Sequence, residues 1–258
     1  MKKSSDKAPC LLKRMMVILL MIILFFILLL LLILSKRLRP NTFFAQKYKV
    51  LGVDVSHYQG DIDWNTLAGQ GISFAFIKAT EGSSHVDEYF YDNWQAASRT
   101  NLAIGAYHFF SFDSPARTQA ELYIHTAGGL SGKLAPVIDV EYYGDKAHNP
   151  PDKETVTAEL KEMLSLLEEY YGVKPILYTT YTVYHRYIKG EFEEYPLWIR
   201  NVYYPPIADL KEKWTFWQYT DTAVLEGYSG VEQYIDMNAF CGSFEELEKY
   251  IIALPQEE

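Results

Sequence analysis

The sequence predicts an α/β protein, a modified (β/α) TIM-like barrel of about eight strands with helices mainly after the first five, preceded by one N-terminal transmembrane helix. Three observations lead to this prediction. Eight short apolar segments recur after residue 49, helical patterns separate the first five of them, and a long apolar stretch precedes them all. Acidic residues at the ends of several predicted strands then favour a closed barrel over a doubly wound open sheet.

The apolar stretch covers residues 15–34 without a charge, glycine or proline. A helix of that length spans roughly 30 Å, the thickness of a bilayer core, and no small-x-small cleavage site follows it. More basic residues precede the stretch than follow it, which favours a cytoplasmic N-terminus. We therefore predict a cytoplasmic tail (1–14), a transmembrane anchor in the cell membrane (15–34), a linker (35–49) and an extracellular domain (50–253). Secretion after cleavage is the alternative.

The outer domain is strongly acidic. Residues 1–39 hold 8 of the 24 basic and 1 of the 33 acidic residues, which leaves a net charge of −16 on the rest. A nucleic-acid partner is excluded, because phosphate neutralisation requires an excess of Lys and Arg. Cys10 and Cys241 lie on opposite sides of the predicted membrane and cannot pair. The six histidines form no H-x-x-x-H pair and no His–Cys cluster, so we expect no metal and no cofactor. The oligomeric state stays open.

Eight segments have the length and composition of strands. They are VLGVDVS (50–56), SFAFIKAT (73–80), LAIGAYHFF (102–110), LAPVIDVE (134–141), KPILYTT (174–180), PLWIRN (196–201), TFWQYT (215–220) and QYIDMN (233–238).

Helical patterns lie between the earlier strands and near the end of the chain. The signals are Phe90, Trp94 and Ala97 at helical spacing, a start at Ser114-Pro115 with proline in the first helical position, an apolar stripe over 156–167 ended by Gly172, and a capping box at 243–246.

Acidic side chains lie at the ends of several predicted strands. Asp54 is on the first strand, Glu81 just past the second, Asp139 and Glu141 on the fourth, and Asp236 on the eighth. In a barrel these strand ends meet at one mouth, where barrels of this kind carry their catalytic groups. In an open sheet the first and last strands would be far apart.

Asp139 and Glu141 are two positions apart on a strand and therefore point to the same face. Cleaving a glycosidic bond requires two carboxyl groups, one protonated to donate to the leaving oxygen and one charged to support the transition state. Like charges push the two pKa values apart. Glu141, longer and outermost, is the predicted acid, and Asp139 is the charged partner. An ion-pair network between strands is the alternative interpretation.

Aromatic residues support a sugar ligand, since flat rings stack on the apolar faces of sugars. The candidates lie near strand ends and are Tyr107, Tyr178, Trp198, Trp217 and Tyr219, although each ring taken alone is more often part of a core. Gln218 faces the opposite side from Trp217 and Tyr219, and only one of these sides can face the barrel interior. We expect His57 and His108 to orient their neighbours rather than to catalyse.

The segments that carry these residues resemble, in order, the sequence blocks of glycoside hydrolase family 25, the Chalaropsis-type lysozymes or N-acetylmuramidases. The blocks are GVDVSHYQGDIDW (52–64), FIKATEG (76–82), AIGAYHF (103–109), APVIDVE (135–141), PILYTTY (175–181), YPLWIRN (195–201), WTFWQYTD (214–221) and IDMNAF (235–240).

This resemblance implies hydrolysis of the β-1,4 bond from N-acetylmuramic acid to N-acetylglucosamine in peptidoglycan. It implies that Glu141 is the general acid and that Asp139 stabilises the transition state or steers the substrate's N-acetyl group. Asp54 and Asp236 match two further acids that tune this pair. Positions expected to contact the substrate are Tyr107, Tyr178, Trp198, Gln218, Lys78, Glu81 and Arg200. Retention, inversion and substrate assistance all remain open.

Two features depart from the family pattern. Arg200 stands where a small residue is common, so it narrows the groove or adds positive charge; it could bind the lactyl carboxylate or a peptide stem, or pair with a surface acid. The predicted anchor replaces the wall-binding repeats of many relatives.

Three other functions fit the sequence less well than that of a muramidase. A chitinase-like hydrolase would need D-x-D-x-E, and Val137 stands at the first of those positions. A catalytically silent, membrane-tethered glycan-binding protein is disfavoured because all four acids are present. A tethered scaffold for other wall proteins would need an exposed apolar patch.

Overall fold

The computed structural model describes residues 7–206, 210 and 213–254, and the chain divides into two compact units, residues 1–40 and 41–258. The first unit contains helix α1 (Lys7–Leu34). Its segment Leu11–Leu34 has a mean hydropathy of 3.8, and none of it is buried by protein. This segment is long and apolar enough to cross a membrane, as a signal anchor would, and a signal peptide has the same properties.

The second unit contains nine strands and seven further α-helices within the described residues. The strands are β1 (Leu51–Val55), β2 (Phe74–Glu81), β3 (His85–Val86), β4 (Ala103–Phe109), β5 (Val137–Val140), β6 (Ile176–Thr180), β7 (Leu197–Arg200), β8 (Phe216–Ala223) and β9 (Ile235–Phe240). The helices are α2 (Asn41–Ala45), α3 (Trp64–Ala68), α4 (Phe90–Ala97), α5 (Ala116–Ala127), α6 (Lys153–Tyr171), α7 (Tyr181–Val183), which continues as a π-helix (Tyr184–Ile188), and α8 (Phe244–Leu247).

Eight of these strands close into a barrel. Their order is β1-β9-β8-β7-β6-β5-β4-β2, and β2 pairs back onto β1. Seven strands are parallel, and β9 runs antiparallel to both of its neighbours, β8 and β1. The predicted barrel is therefore confirmed, with two additions that the sequence did not predict. The last strand is reversed, and β3 forms a short hairpin on β2 outside the ring.

Alternation along the strands separates two cores. Phe74, Phe76, Trp198 and Phe216 belong to a cluster inside the barrel, whereas Ala75, Ile77 and Trp217, which alternate with them, pack against the helices and loops outside. Gly52 lies on the interior face, where a Cβ atom would come within 2.5 Å of the Phe74 ring. Large aromatic rings thus fill the barrel interior, and the absence of a side chain at Gly52 leaves space for the Phe74 ring.

The helical layer follows the predicted signals closely. Helix α6 begins after Asp152, whose side chain accepts a hydrogen bond from the Thr155 backbone, and it ends at Gly172 in the left-handed conformation. The capping box at Ser243 and Glu246 is present. Pro115 precedes α5 as its N-cap, so that helix begins one residue later than predicted. Helices α5 and α6 pack on the outward-facing residues of the barrel strands.

Candidate active site

The carboxyl ends of the parallel strands form this mouth. Asp54 is the fourth residue of β1, and Asp139 and Glu141 lie on and just after β5. Asp236 reaches the same end for a different reason: β9 is antiparallel, so its second residue pairs directly with Asp54. The barrel topology therefore brings the four acids together at one end, as predicted.

Asp54 and Asp236 share a buried amide. Gln218 Nε2 donates to both oxygens of Asp54 (3.1 and 2.9 Å) and to Asp236 Oδ2 (3.0 Å). Asn238 Nδ2 donates to Asp54 Oδ2 at 2.7 Å. Both acids are consequently fixed by donors on β8 and β9, which lie between β1 and β7 in the barrel wall.

Aromatic side chains donate hydrogen bonds to the side-chain amides of Gln218 and Asn238. The Tyr178 hydroxyl donates to Gln218 Oε1 at 3.0 Å, and Trp198 Nε1 donates to Asn238 Oδ1 at 2.8 Å. Trp198 also stacks on Phe76, with ring centroids 4.5 Å apart. The exposed fractions of Tyr178, Trp198 and Gln218 are 5%, 2% and 1%. Three residues predicted to contact substrate thus lie beneath the acids, where they orient them.

Asp139 and Glu141 differ in their surroundings. Asp139 is 6% exposed, and its Oδ1 atom has no hydrogen-bond partner among the described residues. Glu141 is partly exposed at the mouth. Burial, and next the charge of Glu141, raise the pKa of Asp139 well above its usual range. Burial also raises the pKa of Glu141, against the opposing charge of Arg200. Both acids therefore keep a proton to a higher pH than ordinary carboxylic acids do.

Two cations flank the acids. Lys78 on β2 donates to Glu81 at 2.7 Å, and its ammonium lies 5.0 Å from the centroid of the Phe109 ring. Arg200, the last residue of β7, donates from Nη2 to Asp221 Oδ2 at 2.9 Å. Lys78 acts against the raised pKa of Asp139, and Arg200 acts against that of Asp236, which burial and Asp54 raise. Lys78, Glu81 and Arg200 therefore lie near the acids, and their contact with the substrate stays a prediction.

Two further candidates, Tyr107 and His108, lie on opposite faces of β4. Tyr107 faces the interior next to the acids, and burial followed by the charge of Asp54 raises its pKa. Its neighbour His108 faces the helices: Nε2 contacts Gln119 Oε1 at 3.0 Å and Nδ1 contacts Thr80 at 2.7 Å. Burial lowers the pKa of His108 to about 4, so this imidazole is neutral and structural.

Three polar residues of this region were absent from the sequence-based prediction. Asn238 lies two positions after Asp236 on β9, so strand alternation could have placed it on the same face. Asp87 accepts hydrogen bonds from the backbone and the ring of His57 (3.0 and 2.9 Å). Asp221 pairs with Arg200, and no local pattern indicated that contact. Across the described ranges, no group of three His, Cys, Asp or Glu side chains is arranged to hold a metal ion.

Comparison with known proteins places the chain in a family. Residues 53–228 match the family model of "Glycosyl hydrolases family 25". A solved family 25 glycosyl hydrolase from Bacillus anthracis is 52% identical, with a TM-score of 0.75 over 80% of this chain and 94% of that one. Lysozyme M1 of Streptomyces globisporus is 31% identical over 75% of this chain and 68% of its own length.

A further relative is the Escherichia coli K12 protein YegX, 36% identical over 83% of this chain and 79% of its own length. The family match, these identities and the four acids at one barrel mouth agree. The chain belongs to glycosyl hydrolase family 25, the lysozyme and muramidase family, and is a glycoside hydrolase.

Proposed function

We propose that this enzyme hydrolyses the β-1,4 bond between N-acetylmuramic acid and N-acetylglucosamine in peptidoglycan. The observation that carries the proposal is the pair Asp139 and Glu141, two neighbouring acids of raised pKa at the mouth of a barrel. The relative Lysozyme M1 carries the name of this activity. No metal or cofactor takes part in the proposed chemistry.

Glu141 is the proposed general acid. It is the outer member of the pair and is partly exposed, so it can reach the leaving oxygen of a glycan in the groove. Its raised pKa keeps it protonated to a higher pH than an ordinary glutamic acid, which suits proton donation. The positive charge of Arg200 opposes this rise in the pKa of Glu141.

Asp139 is the proposed second carboxylate. Its buried Oδ1 lacks a protein partner in the described structure, and a buried acceptor gains from any donor that the substrate supplies. An acetamido N–H is such a donor, so Asp139 can steer the N-acetyl group. In its ionised form, which the raised pKa confines to higher pH than usual for an aspartate, it can also support the positive charge of the transition state. Asp54 and Asp236, fixed by Gln218, supply the surrounding negative field. Tyr107, which lies within electrostatic reach of Asp54, Asp139 and Asp236, is a proposed substrate contact.

The test is digestion of purified peptidoglycan by the full-length chain in mild detergent, followed by borohydride reduction and mass spectrometry. We expect reduced N-acetylmuramic acid ends. Reduced N-acetylglucosamine ends would identify a glucosaminidase, as a chitinase-like enzyme would produce. Binding without release would identify a silent glycan-binding protein.

Two variants assign the chemistry in that experiment. Glu141→Gln should abolish release. Glu162→Gln is the matched control, because Glu162 forms an exposed ion pair with Arg117 in the helical layer. Equal release by both variants would contradict the role of Glu141.

We further propose that the chain is a single-pass membrane protein with tail 1–14, anchor 15–34, linker 35–49 and catalytic domain 50–253 outside the cell membrane. Support comes from the length and hydropathy of Leu11–Leu34. We expect the full chain in carbonate-washed membranes, with the catalytic domain digested when protease is added to intact spheroplasts. Recovery of the domain from the medium without residues 1–34 would establish secretion after cleavage.

A further inference from the structure

Arg200 occupies the uppermost interior position of β7. The strand alternates Trp198 inward and Ile199 outward, so Arg200 is on the interior side, one layer above Trp198 towards the mouth. In register it lies between Thr180 of β6 and Gln218 of β8. Tyr178, Glu141 and Asp236 are all within electrostatic reach of its guanidinium. A cation at this position faces whatever sugar lies over the acid pair.

Asp221 holds this guanidinium in place. Between Gln218 and Thr220 strand β8 advances two residues while β9 advances one, from Asn238 to Met237. Such a bulge inverts the alternation of the residues that follow and re-aims their side chains. Asp221 is therefore directed to Arg200, and its side chain is only 13% exposed. The bulge and the ion pair together fix the orientation of the arginine.

The pair leaves most of the guanidinium available. Arginine has five N–H donors in a planar fork. Within the described residues one hydrogen bond, from Nη2 to Asp221 Oδ2, uses the fork. The Arg200 side chain is 31% exposed. A planar, pre-oriented fork at the barrel mouth is the geometry that binds a carboxylate with two hydrogen bonds.

We propose that Arg200, oriented by Asp221, binds a carboxylate of the substrate. This inference rests on the proposed function, because it takes the ligand to be a peptidoglycan strand. Two parts of that polymer carry the required group: the lactyl side chain of muramic acid, when no peptide is attached, and the free carboxylates of the peptide stem. Asp221 is a positioning residue in this account.

The experiment measures binding to the full-length Glu141→Gln protein in detergent, which prevents turnover. The probes are muramic-acid tetrasaccharides in three forms: without stem peptides and with free lactyl carboxylates, with stem peptides attached, and with all carboxylates converted to methylamides. We expect the methylamide forms to bind about 10- to 100-fold more weakly, the range for losing a charge-assisted hydrogen bond. Each free sugar is compared with its own methylamide. Weaker binding after capping of the sugar without stem peptides identifies the lactyl carboxylate, and weaker binding only after capping of the sugar with stem peptides identifies a carboxylate of the stem.

Adding Arg200→Met to the Glu141→Gln parent should remove its preference for free carboxylates over methylamides, so that free and capped sugars bind with equal affinity. Asp221→Asn should reduce it while the positive charge remains, and Asp221→Glu should restore part of it. Arg117→Met, in the helical layer, is the matched control and should keep the full preference. A folded Arg200→Met protein with an unchanged ratio of affinities would overturn the proposal, as would equal binding of free and capped sugars by the parent.

Cleavage by the wild-type chain is measured on the same sugars. Absence of cleavage with the carboxylate preference intact would refute the proposed function and leave this inference standing. Cleavage without a preference for free carboxylates would support the proposed function and refute the role of Arg200.

Discussion

Gln218 connects three groups beneath the mouth, and Gln218→Leu removes those connections while nearly conserving volume. Asp54 loses both hydrogen bonds that Gln218 donates to it, Asp236 loses one, and the Tyr178 hydroxyl loses its acceptor. A hydrogen bond to a charged group contributes about 1.5–3 kcal/mol, and an unsatisfied buried hydroxyl costs about 1–3 kcal/mol. Since Asp54 keeps its bond from Asn238, we expect the free energy of unfolding to fall by about 3–5 kcal/mol at pH 7.5.

The loss should depend on pH. Burial raises the pKa of Asp54 and, further, that of Asp236, so ionising these acids lowers the stability of the fold as pH rises above about 4. Gln218 reduces this cost by donating to the ionised forms. Without it the two pKa values rise further. The difference from wild type should therefore grow between pH 5 and pH 8, by about 1.4 kcal/mol for each additional pKa unit.

The assay is equilibrium urea unfolding in detergent, followed by tryptophan fluorescence, since all five tryptophans lie in the second unit. Gln119→Leu is the matched control. Gln119 is also fully buried, but it binds Ser111, Ser114 and His108, and none of these partners titrates in the fold between pH 5 and 8. Its effect should be constant over that range. A pH-independent loss for Gln218→Leu, or one below about 1 kcal/mol, would refute the proposed network.

Two further predictions concern the acid pair and the barrel interior. Lys78→Met should move the acidic limb of the pH profile of kcat/KM to higher pH, because the ammonium lowers the pKa of Asp139; an unmoved limb would show that this charge is screened. Gly105→Ala should lower the free energy of unfolding by about 1–3 kcal/mol, since the new Cβ would lie 2.8 Å from the Phe76 ring and 3.0 Å from Leu134; unchanged urea unfolding would mean that the interior can rearrange.

The barrel could be predicted because its determinants are local. Neighbouring residues alone reveal an apolar segment of strand length, a helix cap such as Asp152 and a helix end such as Gly172. The direction of β9 is not, because an apolar strand has the same pattern whichever way it runs. The two-residue strand β3 is too short to produce any periodicity at all.

The acids could be predicted for the same reason, whereas their supports could not. Asp139 and Glu141 interrupt an apolar strand and are conspicuous. The bond from Asn238 to Asp54 joins residues 184 positions apart, and that from Gln218 to Asp54 spans 164. Aromatic residues at strand ends suggested sugar contacts, but strand alternation alone does not tell how deep in the barrel a ring such as Trp198 lies.

The role of Glu141 as proton donor is tested most directly by changing the leaving group. We would compare wild type and Glu141→Gln on a natural glycan and on a dinitrophenyl glycoside of the same sugar, whose leaving group needs no proton. The account predicts a loss of about 10²- to 10⁴-fold on the glycan, the usual contribution of a general acid, and little loss on the dinitrophenyl glycoside. An equal loss on both substrates would contradict it and would assign Glu141 to binding or charge stabilisation.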